Sequence, residues 1–198
     1  RVVEQKKAAM VGEYGFLAML SHPSKDVKDA GNSKIIAELA DLIRRAKPRY
    51  LYTHNLADKH ETHVATALKV IATLRTLSPE ERPEKVYGCE VWRDLDWLCD
   101  SEKVYLDCGA HPNLMRCLSA VFDSQIAGGK RYDLAAEGRR LANATFSASH
   151  ACDTYSALNY AMDLTPLMDQ SVDIADYIAG FIDRFKVNVK ETIGRFMK

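Results

Sequence analysis

Between Ser33 and Cys108 the apolar residues alternate between helical and strand periods. Ile35, Ile36, Leu39, Leu42 and Ile43 recur at helical spacing, and the segment ends at the basic Arg44, Arg45 and Lys47 before Pro48. "RYLYTH" (Arg49 to His54) then has the β-branched and aromatic content of a strand. A second helix is expected over Thr62 to Leu77, followed by a turn with two prolines. "KVYGCEVW" (Lys85 to Trp92) and "KVYLDC" (Lys103 to Cys108) read as further strands. Such alternation points to an α/β layered fold with a mainly parallel sheet.

The flanking segments are read the same way. The opening "RVVEQKKAAMVGEYG" begins as the middle of an amphipathic helix ended by Gly12 and Gly15, so a first segment is expected upstream. "FLAML" (Phe16 to Leu20) suits a short buried strand, and Ser33 a helix cap. Helices are expected over Pro112 to Ser124 and Tyr132 to Ala148, at Thr165-Pro166, and from Asp173 onward. No repeat or linker splits the 198 residues, which are expected to form a single domain, 1–198.

Composition narrows the function. The 27 basic and 27 acidic residues balance, which argues against nucleic acid as a partner. No apolar run approaches the roughly 20 residues of a membrane span, and no segment is laid out as a signal peptide. Cys89, Cys99, Cys108, Cys117 and Cys152 are odd in number and show no C-x-x-C, which disfavours zinc fingers, redox dithiols and a disulfide framework. Free thiols in a reducing cytoplasm are the expectation.

The chemistry concentrates in "YTHNLADKHETHVATAL", Tyr52 to Leu68. It starts where the strand Arg49 to His54 ends, and α/β sheets bind ligands beyond the carboxyl ends of their strands. His60 and His63, three apart at a helix start, share a side. Neutral imidazole is a common zinc ligand. The register excludes the H-E-x-x-H zincins, whose histidines are four apart. Asp58 and Glu61 are carboxylates able to orient a ligating imidazole. The same residues also describe a solvated, capped helix start, and composition does not choose between the two.

"KPRYLYTHNLADKHETHVATALKVI", with Thr53, His54, Asp58, His60, His63, Val64 and Ala65, resembles the second motif of the PIG-L/LmbE family of zinc-dependent N-deacetylases. "EQKKAAMVGEYG" and, less specifically, "AVFDSQIAGGKRYDLAAEGRRLANATF" are similar to other parts of that family. The resemblance implies a Rossmann-like layered α/β fold with a mainly parallel sheet flanked by helices, its first strand missing. It implies His63 as a zinc ligand, with iron as the alternative metal. It implies His60 as the imidazole assisting the tetrahedral intermediate or leaving amine, with Asp58 holding His60. The family's first motif, A-H-P-D-D, which supplies the remaining ligands and the base, is absent; "SHPSKD" (Ser21 to Asp26) is read as an ordinary loop.

The implied activity is metal-dependent de-N-acetylation of an amino sugar by the intact parent protein, because this sequence supplies one of the three zinc ligands the resemblance implies. A non-catalytic, degenerate sugar-binding or assembly module of a larger protein is the alternative, motivated by the missing motif. Trp92 and Arg93, in "GCEVWRDLDWL", are the substrate-side candidates, weighed against ordinary aromatic packing. By analogy with the family, self-association is expected, in the cytoplasm, with a small amino sugar as partner. "DSQIAGGKRYD" lacks P-loop spacing, His111 and His150 are isolated, and Ser149, His150 and Asp153 are too close in sequence for a triad.

Overall fold

A computed structural model describes residues 1–197. Eight α-helices and four strands are present among them: α1 (Val2–Val11), α2 (Ser24–Lys28), α3 (Ser33–Ala46), β1 (Tyr50–His54), α4 (Glu61–Thr76), β2 (Lys85–Cys89), β3 (Val104–Asp107), α5 (Pro112–Ala120), α6 (Asp123–Ile126), α7 (Tyr132–Phe146), β4 (Leu158–Asp163) and α8 (Ile174–Phe196). The strands form one mixed sheet in the order β1-β2-β4-β3. β1 and β2 run parallel, with His54 opposite Cys89, whereas β4 runs antiparallel to β2. The sheet is therefore mixed rather than mainly parallel.

The chain divides into two compact units, Ser21–Val104 with Tyr160–Lys198, and Arg1–Leu20 with Tyr105–Asn159. In the first, α3 turns Ile35, Ala40 and Ile43 inward, as its sequence period requires. Asn32, one residue before the expected cap, accepts the Lys34 N–H at 3.1 Å. α4 packs on α3 and β1 and buries Ala67, Val70, Ile71 and Leu74. Full burial of Ile71 and Leu74 is worth about 1.5–3 kcal/mol each. Lys69 on the same helix is buried, and its Nζ donates to the carbonyls of Asp29 (2.7 Å), Ala30 (3.3 Å) and Asn32 (2.9 Å). The ammonium replaces its hydration with three acceptors and ties the α2–α3 loop to α4.

In the second unit, Glu4 of α1 accepts the main-chain N–H and hydroxyl of Ser124, each at 2.7 Å. Arg116 of α5 donates to Glu137 of α7 at 2.6 Å. Asn143 of α7 is buried and donates to the Leu158 carbonyl at 3.2 Å.

Three local departures from the sequence reading have physical causes. Phe16 to Leu20 enters no strand, and Phe16 and Met19 lie exposed, because an apolar run without a pairing partner gains nothing from extension. The helix expected over Pro112 to Ser124 breaks at Val121 and Phe122 into α5 and α6. β4, "LNYAMD", lies outside the expected strands: its Ala, Asn and Asp disfavour strands, yet the segment that pairs with β2 buries Tyr160, Ala161 and Met162.

Candidate metal centre

All residues of the site belong to the unit formed by Ser21–Val104 and Tyr160–Lys198. β1 ends at His54, and the chain turns at once. Asn55, fully buried, donates its N–H to the Cys89 carbonyl at 3.0 Å, and its side chain accepts the Ala57 N–H at 2.8 Å. These bonds place Asp58 beneath the start of α4. His60 is the N-cap of that helix, and its side chain does not cap. Asp58 takes over: its Oδ1 accepts the His60 N–H at 2.8 Å.

The other oxygen of Asp58, Oδ2, lies 3.0 Å from Nδ1 of His63. The Asp58 side chain is 1% exposed, so this pair is shielded from water on the carboxylate side. The sequence reading has Asp58 holding the His60 ring; its contacts are the His60 main chain and the His63 ring. The His63 ring stacks on His54, with centroids 3.9 Å apart and planes 2° from parallel. The His60 ring stands 5.0 Å from His63 and 4.7 Å from Trp92.

Tyr52, His54, Asp58, His63, Cys89 and Trp92 line one cavity of about 460 Å³. One donor atom each from His54, Asp58 and His63 lies within 4.8 Å of the others. Two imidazoles and a carboxylate form a donor set that could hold a metal ion. No other such group of three occurs among the described residues. Burial holds His54 below the ordinary imidazole range; the His63 ring adds to this and Asp58 opposes it.

The loop after β2 forms the neighbouring wall. Arg93 donates to the Ala57 carbonyl at 2.5 Å and stands 3.9 Å from Oε1 of Glu90. Arg93 thus braces the residue before Asp58. Lys59 lies 5.7 Å above the Trp92 ring, a cation–π distance. Glu90 is 2% exposed; its Oε2 accepts the Trp97 indole N–H at 3.4 Å, and its Oε1 has no hydrogen-bond donor among the described residues. Burial pushes the Glu90 carboxyl above its ordinary range; the Trp97 N–H opposes this, and the nearby Asp58 charge reinforces it. Asp94 and Leu95 both adopt positive φ, 54° and 58°, while buried. For a leucine this is a strained conformation, held by its surroundings.

The sequence reading singled out Asp58, His60, His63, Trp92 and Arg93, and the fold gathers all five around this loop. The sequence alone gives His54 no role and does not mark Glu90. For His54 the available signal was its place at a strand's carboxyl end. His22, in "SHPSKD", lies elsewhere, 2.6 Å from Glu38 of α3.

No family model and no curated protein matches the chain. Among solved structures it is similar to the conserved protein TT1542 from Thermus thermophilus, with a TM-score of 0.65 and 16% identity, covering 82% of this chain and 72% of that one. At that identity the likeness establishes a shared fold.

Proposed function

We propose that this protein is a metal-dependent hydrolase that removes the N-acetyl group from an amino sugar, as a PIG-L/LmbE-like deacetylase. The observation that carries the reading is the Asp58–His63 pair at the end of β1, opening into a cavity of about 460 Å³. An imidazole fixed by a buried carboxylate is what metal sites use to aim a ligand. When bound, zinc supplies a polarised acyl carbonyl and an acidified water. His63 holds the ion. His60, exposed at the helix start, donates a hydrogen bond to the oxygen that gains charge as the amide carbon becomes tetrahedral, and passes a proton to the departing amine. Trp92 offers an apolar face to the sugar ring, and Arg93 keeps the Asp58 loop in place.

The test uses the full chain, one equivalent of zinc and a panel of N-acetylated amino sugars, with acetate release as readout. His60→Ala is expected to lower turnover by about 10²–10³-fold without loss of bound zinc. His63→Ala is expected to lose both. Absence of acetate release from every member of the panel sinks the proposal.

A further inference from the structure

Resting on the reading of the cavity as an amino-sugar site, we propose that its substrate is a phosphorylated amino sugar, with Lys59 and Arg93 holding the phosphate at the Trp92 edge of the cavity. The cavity's own acid is already occupied. Asp58 is 1% exposed at the side chain and engages the His60 N–H and the His63 ring. Glu61, the exposed acid at the start of α4, lies 3.5 Å from Lys28, which offsets it. Two further cations reach solvent beside Trp92, and neither is matched in this way.

Lys59 is exposed, with its Nζ 5.7 Å above the Trp92 ring. Among the described residues no carboxylate forms an ion pair with it. Arg93 follows Trp92 in the chain, and its side chain is 50% exposed. One guanidinium N–H goes to the Ala57 carbonyl, which leaves others of its five donors for an external acceptor. Oε1 of Glu90 stands 3.9 Å away, beyond hydrogen-bond reach, and burial favours the neutral form of that carboxyl. The two cations converge on one short segment: Arg93 bonds Ala57, two residues before Lys59, and Lys59 lies over the residue before Arg93. α4 begins at Glu61, so the positive end of its dipole adds to the same field. A phosphomonoester at neutral pH carries a charge of about −1.5 to −2 and three acceptor oxygens. An arginine fork and a lysine point charge together match it, whereas one of them alone matches a carboxylate. The flexible Lys59 stem lets the ammonium leave the indole face for the phosphate, and the face is then free for the sugar ring. Trp92 lines the cavity and carries both contacts to its rim.

The experiment is isothermal titration calorimetry on the full, metal-free chain. The probes are N-acetylglucosamine, its 1-phosphate and 6-phosphate, and N-acetylmuramic acid, which carries a carboxylate. At least one phosphate ester is expected to bind about 10-fold tighter than the neutral sugar, the scale of a charge-assisted hydrogen bond. Lys59→Met keeps the stem and removes the charge; it is expected to lose most of that preference and to leave the affinity for the neutral sugar unchanged. Arg93→Lys keeps the charge and removes the fork; it is expected to lose part of the preference. Lys190→Met, exposed on α8, is the unchanged control. Circular dichroism of each variant checks folding. Equal affinity for the neutral and phosphorylated sugars, a preference intact in either variant, or N-acetylmuramic acid bound as tightly as the esters overturns the inference. Acetate release from the neutral sugar with zinc then still upholds the hydrolase reading. A preference that depends on Lys59 and Arg93, without acetate release from any probe, upholds the phosphate site and removes the deacetylase reading.

Discussion

At the scale of single residues, the site is built from side chains whose surroundings leave them few alternatives. Asp58 spends both oxygens on α4, one on the His60 main chain and one on the His63 ring. Glu90 is the opposite case: a buried carboxyl with one oxygen lacking a hydrogen-bond donor among the described residues. Its pKa is raised in the folded chain, so the charged form is less favourable there than in the unfolded chain. The stability it withdraws is absent below the ordinary glutamate value of 4.5 and grows as pH rises from there through the folded value. Glu90→Gln is therefore expected to be more stable than wild type at neutral pH, with the gap closing toward pH 4. Thermal melts of metal-free protein across that range check it; a gap independent of pH contradicts the assignment.

At the scale of elements, β2 is the strand on which the site depends, because its end carries Cys89 and the loop of Glu90 and Trp92. Gly88 is required there by close approach. A Cβ at that position would stand 2.7 Å from Cδ1 of Leu164 and 3.3 Å from the Asn55 amide nitrogen. Leu164 is fully buried and Asn55 anchors the turn to Asp58. Gly88→Ala is expected to cost about 1–3 kcal/mol in denaturant melts, and to weaken metal binding through Asn55. At the other end of the strand, Lys85 donates to Asp163 of β4 at 3.0 Å. Burial alone would raise the Asp163 carboxyl, but Thr165 and Lys85 outweigh it and hold it below its ordinary range. Its hydrogen bond to Asp163 holds Lys85 above the ordinary lysine range. The aspartate's contribution is complete above 3.8 and is lost as pH falls through its lowered value. The lysine's is complete below 10.5 and is lost as pH rises through its elevated value. The destabilisation caused by Asp163→Asn is thus expected to be present at pH 7 and smaller at pH 3, as measured by urea unfolding at both.

At the scale of the whole molecule, the residues of the candidate metal site, His54, Asp58 and His63, all fall in one of two compact units. A ligand stabilises the structure it binds by mass action. Zinc at 100 times its dissociation constant is expected to add about 2.7 kcal/mol of protection against unfolding of the unit that holds it. Hydrogen exchange should register this over 21–104 and 160–197, most strongly in α4 and β1. Protection unchanged across α4 argues against a metal at His63. No helix among the described residues is long and apolar enough to cross a membrane.

The sequence by itself determined what depends on near neighbours. Period and punctuation located α3, β1, α4 and β2. The strand-end position of the histidine loop, and the three-residue spacing of His60 and His63, marked where chemistry would lie before any fold was known. Those signals are local because a helix turn or a strand's alternation is set within a few residues. Tertiary structure decided what depends on partners distant in sequence. β4 exists because β2 is there to pair with it, and its antiparallel direction makes the sheet mixed. The same holds for the site. Parallel register puts His54 level with Cys89 and so brings the loop of Glu90, Trp92 and Arg93 to the histidines, across more than 30 residues of chain. Helix packing then stacks His63 on His54. A histidine at a strand end is chemically undefined until that packing supplies its neighbours, which is why the sequence could place His54 but give it no role.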